Sequence, residues 1–174
     1  MNMKLVKGSD PILRTAAEKF DFSNPEIDPV ELSLQMTDRM SKLRIMGLSA
    51  NQFGLPLQVM TVGNPADTSS AFAAFNPIIT SYGEETAVEE EMNPCFPGLF
   101  IKIKRPTSIR VRYTTAEMVT DVVKFDGITA RIFQHQYDLL QGLLYTKKAN
   151  RYYLERAIKQ KKRLDKARKE SVLL

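Results

Sequence analysis

The stretch Gln134-His135-Gln136-Tyr137-Asp138-Leu139-Leu140-Gln141-Gly142 lies in a pattern that predicts an α-helix beginning near Gly127. Along this pattern, apolar residues share one helix face with His135, which is the single histidine of the chain. The residues on this face are Ile128, Ile132, His135 and Leu139. The sequence therefore predicts a helix that presents one imidazole among hydrocarbon side chains.

This stretch contains part of a metal-binding pattern. Helices of zinc hydrolases commonly read His-Glu-x-x-His, because two imidazoles one turn apart bind one metal ion and the Glu moves the proton. Here Gln136 stands at the Glu position and Leu139 at the second His position. An amide is not a general base near neutral pH, and a leucine side chain does not bind a cation.

The composition indicates one domain that can build a core and remain soluble. The chain has 174 residues, of which 43% are hydrophobic and 26% charged. No apolar run approaches the roughly 20 residues of a membrane-spanning helix. Residues 1–7 show no pattern of a signal peptide. Because Cys95 is the single cysteine, no internal disulfide can form, and we expect a reducing, cytoplasmic location.

Positive charge is concentrated near the C-terminal end. The formal net charge is +5, and residues 151–174 alone contain nine Lys or Arg and three Asp or Glu. We therefore expect two parts, a domain of residues 1–149 and a basic C-terminal helix or tail of residues 150–174. Any argument for binding a polyanion applies to the second part.

Capping and periodicity predict the elements before the histidine helix. Asp28 is a good N-cap and Pro29 suits a first turn, which predicts a helix ending near Ile45. The acidic run at 84–91 is interpreted as a solvated edge strand or loop. Strands are predicted at 57–62, 76–79, 99–104, 108–113 and 119–125, with a loop at 64–70.

Three segments match, in order, the motifs of one family. Residues 47–52 match G-x-G-L-[AS]-A-x-Q, residues 91–99 align without a gap on E-G-C-L-S followed by F-P-G-L, and residues 134–142 align on Q-H-E-x-D-H-L-x-G. The chain thus resembles peptide deformylases, which remove the formyl group from the initiating methionine of new chains. The resemblance implies an α+β fold in which antiparallel sheets surround the central helix that carries His135.

The resemblance also implies a metal-dependent site. In the family, a Cys thiolate and two His hold Fe²⁺ or Zn²⁺ with an open position for water, and a Glu accepts the proton of that water. A Gln side chain and the backbone N–H after the Cys stabilise the oxyanion. The metal positions fall on Asn93, His135 and Leu139, and the other catalytic positions on Gln52, Pro94 and Gln136.

Most of these positions lack the chemistry of the family. Asn93 replaces the thiolate, and Cys95 would place its sulfur about 6–7 Å away, so we expect it to be a small packed residue. Pro94 has no N–H to donate to an oxyanion. Loss of the general base alone commonly costs about 10²–10⁴ in rate. We therefore expect no bound metal, no other cofactor and no deformylase activity.

A degenerate substrate cleft is expected beside the histidine. Ile45 stands where the family has a glycine, so its side chain would lie where a substrate backbone approaches. The residues expected to line this cleft are Ile45, Gly47, Leu48, Gln52, Phe96 and His135.

Structural roles are the simpler interpretation for several polar residues. A lone imidazole lacks the partners that a metal needs, so His135 is interpreted as a half-buried histidine. Asp138 is expected to form an ion pair with Arg105 or Arg131. Gln52 is either a residual oxyanion donor or a hydrogen-bonding strut between segments.

The basic cluster near the C-terminus predicts either a solvated terminus or an RNA-binding helix. No aromatic residue interleaves with the cluster, so contacts would be to phosphates and sensitive to salt. In bacterial members of the resembled family a C-terminal helix docks on the ribosome, which makes residues 151–174 a candidate for binding ribosomal RNA. The expected RNA contacts are Lys159, Lys161, Lys162, Arg163, Lys166, Arg168 and Lys169.

Three functions remain open on the sequence. The first is a pseudoenzyme that acts by binding, with its basic helix on the ribosome and a nascent peptide N-terminus in its cleft. The second is an active metal-dependent deformylase with a rearranged site. The third is a structural or assembly subunit with a protein partner, for example in a phage particle.

Overall fold

The computed structural model describes residues 3–172 of the chain and the side chains of residues 3–167. The strands are β1 (Gly47–Ser49), β2 (Val59–Asn64), β3 (Asp67–Tyr82), β4 (Thr86–Glu91), β5 (Ile101–Pro106), β6 (Ser108–Thr114) and β7 (Thr120–Asp126). The α-helices are α1 (Pro29–Lys42), α2 (Gly127–Leu140), α3 (Tyr145–Lys148) and α4 (Arg151–Val172). Short 3₁₀ turns lie at Pro11–Arg14 and Ala50–Phe53.

The strands form two antiparallel sheets. The larger sheet has the order β1-β2-β3-β6-β7, and the smaller one pairs β4 with β5. In the smaller sheet Glu91, the last residue of β4, lies opposite Ile101, the first residue of β5. This arrangement confirms the α+β fold that the sequence predicts.

The larger sheet lies between α1 and α2, which is why β2 is buried on both faces. Successive side chains of a strand point to opposite faces. Val59 accordingly packs in the layer next to α1, whereas Met60 and Val62 pack in the layer next to α2. The helix residues in these layers include Leu32, Met36 and Met40 of α1, and Ala130, Phe133 and Leu140 of α2.

Two predicted boundaries are wrong for local reasons. Helix α1 ends at Lys42 rather than near Ile45, because Arg44 has a φ of 54° and leaves the helical conformation. The loop predicted at 64–70 is largely strand, since β2 and β3 form a hairpin there and β3 runs for 16 residues. The polar side chains that suggested a loop lie on the exposed end of this hairpin.

The acidic run at 84–91 divides into an exposed part and a buried end. It forms β4, and Glu89 and Glu90 are exposed as expected. Glu91 is buried, so the prediction of a solvated carboxylate is wrong there. The reason is that its side chain points toward basic residues of β5 and α2 rather than toward solvent.

The end of α2 depends on Gly142. This residue has a φ of +71°, and a Cβ there would lie 2.8 Å from the backbone carbonyl carbon of Arg14. The backbone N–H groups of Gly142 and Leu143 donate to the carbonyl oxygens of Leu139 and Asp138, which is a Schellman motif. The glycine therefore lets the N-terminal segment pack against the end of the histidine helix.

Helix α4 packs on the domain through its first turns. Tyr153, Leu154 and Ala157 join an apolar cluster with residues of β5, and Ala157 is buried. Beyond Ala157 most of the described side chains are exposed. Within residues 3–172, no helix combines the length and hydropathy that crossing a bilayer requires.

Candidate functional site

The site is built around polar residues of α2 that the fold buries. Helix α2 lies between the larger sheet and β5, so side chains on several of its faces are shielded from water. Buried polar groups require hydrogen-bond partners, and these partners show what the site can do. The buried polar residues of α2 are Arg131, Gln134, His135, Gln136 and Asp138.

Glu91 is the buried anion at the centre of this network. Its Oε1 accepts hydrogen bonds from Nε of Arg105 at 2.6 Å and from Nη1 of Arg131 at 2.7 Å. Its Oε2 lies 2.9 Å from Nδ1 of His135. Burial by itself raises the pKa of Glu91, but hydrogen bonds from His135 and Arg105 outweigh it and lower the pKa to about 2. The carboxylate is therefore ionised at neutral pH and accepts a hydrogen bond from the N–H at Nδ1 of His135.

Asp138 extends the network to the surface. Its Oδ2 accepts from Nη1 of Arg105 at 2.6 Å, and Nζ of Lys148 lies 3.2 Å from its Oδ1. Of the two partners considered for Asp138, the structure places Arg105 there, while Arg131 contacts Glu91. Burial by itself lowers the pKa of Arg105. The interactions with Glu91 and Asp138 outweigh burial and raise the pKa above its ordinary value, so the guanidinium stays charged.

A carboxamide lies next to the other imidazole nitrogen. Oδ1 of Asn93 accepts from the backbone N–H of Cys95 at 2.9 Å and from Nε2 of Gln52 at 3.1 Å, which fixes the orientation of the amide. Nδ2 of Asn93 consequently faces Nε2 of His135 at 3.5 Å. Because an amide nitrogen is a donor, this contact agrees with the tautomer that carries its hydrogen on Nδ1.

Gln52 connects neighbouring segments through both ends of its carboxamide. Its Oε1 accepts from the backbone N–H of Ser49 at 2.9 Å, while its Nε2 donates to Asn93. Of the two roles considered for Gln52, this geometry favours a hydrogen-bonding strut between segments over a residual oxyanion donor. Burial raises the pKa of the nearby Cys95 to about 11, so its thiol stays protonated as expected of a packed residue.

Leu139 fills the second imidazole position with hydrocarbon. Its side chain is fully buried and packs in a cluster with Leu13, Cys95 and Leu144. The backbone oxygen of Leu139 accepts a hydrogen bond from Nδ2 of Asn51 at 2.6 Å. Both the side chain and the backbone oxygen of Leu139 therefore have structural contacts in the core.

Gln136 leaves one polar atom unpaired. Its Nε2 donates to the backbone oxygen of Gly47 at 3.0 Å, which fixes the direction of the amide. Its Oε1 is buried and accepts no hydrogen bond from any residue that the structure describes. The whole residue is only 4% exposed.

An apolar cleft of about 350 Å³ opens beside His135 and Gln136. Of the residues predicted to line it, Ile45, Gly47 and His135 do so. Further lining residues include Met46, Met92, Pro94, Ile128 and Ile132. Pockets of this size and polarity accommodate small ligands or single side chains of a peptide.

Three predicted cleft residues lie elsewhere among the described residues. Leu48 is fully buried in the layer next to α1, because its strand is covered by that helix. Gln52 lies in the hydrogen-bonded network under the cleft, and Phe96 packs edge-on against the ring of Tyr145. Ile128 and Ile132 could have been predicted instead, since they share the helix face of His135.

The donor atoms at the three metal positions do not form the ligand set of the resembled family. Within the described part of the chain, no cluster of three His, Cys, Asp or Glu residues could hold a metal ion. The three positions hold the amide of Asn93, the imidazole of His135 and the hydrocarbon of Leu139. A thiolate with two imidazoles differs from this set at two of three positions. The residues present therefore do not fit Fe²⁺ or Zn²⁺ in that geometry.

The predicted RNA contacts lie along the outer part of α4. Lys159, Lys162, Arg163 and Lys166 are exposed. Lys161 forms an ion pair with Asp165 one turn later, which reduces the positive charge of this face. Arg168 and Lys169 lie outside the residues whose side chains the structure describes.

Comparison with known proteins places these observations in a family. A family model described as polypeptide deformylase matches residues 2–154. The chloroplastic peptide deformylase 1B of Oryza sativa subsp. japonica is 32% identical over 172 residues, which is 97% of this chain and 63% of that relative. The peptide deformylase of Thermotoga petrophila is 38% identical over 143 residues, covering 78% of this chain and 79% of the relative.

Solved structures agree with the sequence relatives. A crystal structure of a plant peptide deformylase has a TM-score of 0.85 and 29% identity, covering 100% of this chain and 95% of that one. A structure of Arabidopsis thaliana peptide deformylase 1B with a bound inhibitor has a TM-score of 0.83. The likeness therefore extends over the domain and is not confined to single motifs.

These comparisons correct the expectation of no cofactor. Proteins of the matched family depend on a metal ion, Fe²⁺. The prediction that this chain needs no cofactor was therefore wrong. The family-wide metal dependence and the local donor set disagree at Asn93 and Leu139.

Proposed function

Because the chain belongs to the peptide deformylase family, we propose that its cleft binds the methionyl N-terminus of a peptide, and that it acts by this binding. The cleft of about 350 Å³ has the size for one apolar side chain and its adjoining backbone. Ile128 and Ile132 of α2 supply hydrocarbon on one side, and Met46 supplies it on another.

One observation carries the proposal of binding without hydrolysis. The cleft is retained, whereas Gln136 stands at the position of the general base and bonds to the backbone of Gly47. An amide cannot accept the proton of an attacking water near neutral pH. Pro94, which also lines the cleft, offers no N–H to a developing oxyanion. The groups that recognise an apolar side chain remain, and the groups that hydrolysis uses are replaced.

Isothermal titration calorimetry with a formyl-Met-Ala-Ser peptide tests the binding. Ile128→Glu places a charge in the apolar cleft, and Val122→Glu makes the same change at an exposed residue outside the cleft. We expect the unaltered protein and Val122→Glu to bind alike, and Ile128→Glu to bind at least about tenfold more weakly. Equal affinity of the two variants, or no binding by the unaltered protein, would contradict the proposal.

Deformylation is the second candidate, and the overall likeness to named deformylases favours it. The supporting observation is 38% identity to the Thermotoga petrophila deformylase over 143 residues, together with the TM-score of 0.85 to a plant deformylase. Formate release is measured without oxygen and with added Fe²⁺, with His135→Ala as the control. Release that depends on His135 would establish deformylation and replace binding as the function. Release no faster than in His135→Ala would support the binding function.

We also propose that α4 attaches the protein to ribosomal RNA. Its exposed lysines and arginines would contact phosphates without reading bases, and only the first turns of the helix are needed for packing. The triple variant Lys159→Glu, Lys162→Glu and Arg163→Glu should lose salt-sensitive co-sedimentation with ribosomes. Lys102→Glu with Lys104→Glu, two exposed lysines of β5, is the matched control and should still sediment. Equal sedimentation of both variants would contradict this proposal.

Two other expectations stay predictions. The rice relative carries a chloroplastic name, so the cytoplasmic location rests on composition alone. An assembly role predicts a stable complex of fixed stoichiometry with a second protein, which purification of the full chain from its native host would detect.

A further inference from the structure

Within the described chain, the helices leave part of one face of the larger sheet uncovered. The apolar residues of β6 pack in the layer next to α2, so the alternation of the strand directs Arg110 and Arg112 to the opposite face. Helix α1 packs on that face over β1, β2 and β3, and both arginines are exposed. This outer sheet face, formed by β6, β7 and the end of β3, lies across the sheet from the apolar cleft.

A pocket of about 290 Å³ lies on the outer sheet face, and two cations line it. Arg112 comes from β6, and Lys19 comes from the N-terminal segment. Neither side chain forms a hydrogen bond or an ion pair with a described residue. No carboxylate is among the described residues that line the pocket. The others are Gln58, Asn76, Ile78, Tyr113, Thr114 and Thr120.

The residues on either side of Lys19 fix its position. The backbone of Glu18 makes two hydrogen bonds of 2.7 Å with residues 56–58. The backbone N–H of Phe20 donates to Oδ1 of Asn76 at 2.8 Å, and Nδ2 of Asn76 donates to the carbonyl oxygen of Phe20 at 3.0 Å. The backbone at Lys19 is therefore held against β3 in the free protein.

The charge of the pocket is not balanced by the protein. Glu18, Asp21 and Glu26 line a neighbouring pocket that also includes Lys19, but none of them forms an ion pair with it. Two cations that line one pocket repel each other, and an anion bound between them removes the repulsion. The planar guanidinium of Arg112 can bind two oxygens of a phosphate group at once, and Lys19 adds a compact positive charge.

We propose that this pocket binds a phosphate monoester carried by a small sugar. A phosphate monoester has a charge of about −1.5 to −2 at pH 7, which matches two cations better than the single charge of a carboxylate or a phosphodiester. The volume exceeds that of one phosphate group, so a sugar can lie beside the hydroxyl groups of Thr114 and Thr120. The site is separate from the apolar cleft and does not depend on the function of that cleft.

Isothermal titration calorimetry with ribose 5-phosphate tests the site. The comparison ligands are its methyl ester, which has one negative charge, and ribose, which has none. We expect ribose 5-phosphate to bind at least about fivefold more tightly than the methyl ester, and ribose to give no measurable heat. Equal affinity for the phosphate and its methyl ester would refute the proposal, as would no binding of ribose 5-phosphate at millimolar concentration.

The pH dependence of binding provides a second readout. The second ionisation of a phosphate monoester has a pKa near 6, so the affinity for ribose 5-phosphate should rise between about pH 5 and pH 7.5. The methyl ester keeps one charge over this range, so its affinity should stay level. It therefore controls for any titration of Glu18, Asp21 or Glu26. Parallel pH profiles for the two ligands would contradict selection of the dianion.

Variants of the two cations test which residues bind the phosphate. Arg112→Gln and Lys19→Gln should each weaken ribose 5-phosphate at least about fivefold, because each removes one of two charges. Arg110→Gln is the matched control, since Arg110 is exposed on the same strand and face but does not line the pocket. It should change the affinity by less than about twofold. An equal loss in Arg110→Gln and Arg112→Gln, or unchanged affinity in both pocket variants, would refute the pocket as the site.

A 5′-phosphorylated uridine tetranucleotide distinguishes a free sugar phosphate from the terminus of an RNA chain, since both carry the same monoester. Weaker binding of the tetranucleotide than of ribose 5-phosphate would identify a free sugar phosphate as the ligand. Tighter binding that is lost with the 5′-phosphate would identify an RNA terminus. Both results support a site for a phosphate monoester. Tighter binding that persists without the 5′-phosphate would refute it.

Discussion

Nδ1 of His135 lies 2.9 Å from Oε2 of Glu91, and both side chains are about 6% exposed. This contact joins the last residue of the edge strand β4 to the middle of the central helix. It sets the tautomer of the imidazole, because an ionised carboxylate accepts and cannot donate. Nε2 is thereby directed to the amide of Asn93. The position of the imidazole is therefore determined by a carboxylate that the acidic run had predicted to be solvated.

Replacement of Glu91 should destabilise the whole domain. Glu91→Gln removes the anion between Arg105 and Arg131 and leaves two buried guanidinium groups with too little negative charge. Removal of one partner from a buried ion pair commonly costs about 3–5 kcal/mol. Urea unfolding of Glu91→Gln should show a free energy of unfolding that is lower by this amount. Glu90→Gln, at the exposed neighbouring position, should change the free energy of unfolding by less than about 0.5 kcal/mol. Equal stability of the two variants would show that the buried network contributes little.

Acid should destabilise the protein through the same carboxylate. Burial acts to raise the pKa of Glu91, but its hydrogen bonds with His135 and Arg105 prevail, and the pKa falls from 4.5 to about 2 in the folded state. A group with a lowered pKa contributes stability above its unfolded pKa, and this contribution is lost as the pH falls toward the folded value. The difference corresponds to about 3 kcal/mol.

The measurement is the free energy of unfolding between pH 6 and pH 2.5. The unaltered protein should lose stability below about pH 4.5 more steeply than Glu91→Gln, so that the two curves approach each other. Curves that stay parallel over this range would mean that Glu91 has an ordinary pKa in the folded protein.

Local patterns in the sequence were sufficient for the framework of the fold. Asp28 caps α1 by accepting from the backbone N–H of Glu31 at 2.8 Å, and the alternation in β5 and β6 places their apolar side chains in the core. These features depend on residues that are close in sequence. The helix that carries His135 begins at Gly127 for the same reason, since its period of apolar residues is local.

Contacts between distant segments could not be read from local patterns. Glu91 lies in an acidic run, and only the pairing of β4 with β5 brings Arg105 beside it. Leu48 belongs to a matched motif, yet the position of α1 determines that its side chain faces the core. The sequence did carry one sign that Glu91 differs from the rest of the run, because it aligns on the glutamate of the motif E-G-C-L-S.

Gly142, at the end of the histidine helix, and Gly98 together separate the cost of a left-handed backbone conformation from the cost of a steric clash. Gly142 and Gly98 have similar φ values of +71° and +74°, but a Cβ at Gly98 has no atom within 4 Å, whereas one at Gly142 lies 2.8 Å from the backbone of Arg14. Gly98→Ala should cost about 1–2 kcal/mol from the left-handed conformation alone. Gly142→Ala should cost clearly more, as measured by thermal or urea unfolding. Similar losses for both would show that the N-terminal segment moves aside freely.

Two substitutions would place the thiolate and the second imidazole of the family's ligand set at their positions in this chain. Asn93 already faces Nε2 of His135, and Leu139 lies one helical turn after that histidine. We expect Asn93→Cys with Leu139→His to bind Co²⁺ at least about 100-fold more tightly than the unaltered chain, since loss even of an outer-sphere partner commonly costs 10–100-fold. Cobalt gives a thiolate charge-transfer band, so absorption titration without oxygen reports both affinity and ligand type.

The control for this restoration is Leu139→His alone, which retains Asn93 and the native Cys95. Because the thiol of Cys95 is buried and has a raised pKa, this variant should show no thiolate band. The double variant should also be less stable without metal, because an imidazole replaces hydrocarbon among Leu13 and Leu144. Co²⁺ should recover that stability by mass action. If the unaltered chain binds Co²⁺ as tightly as the double variant, then the donors that hold a metal in this protein are not the three at these positions.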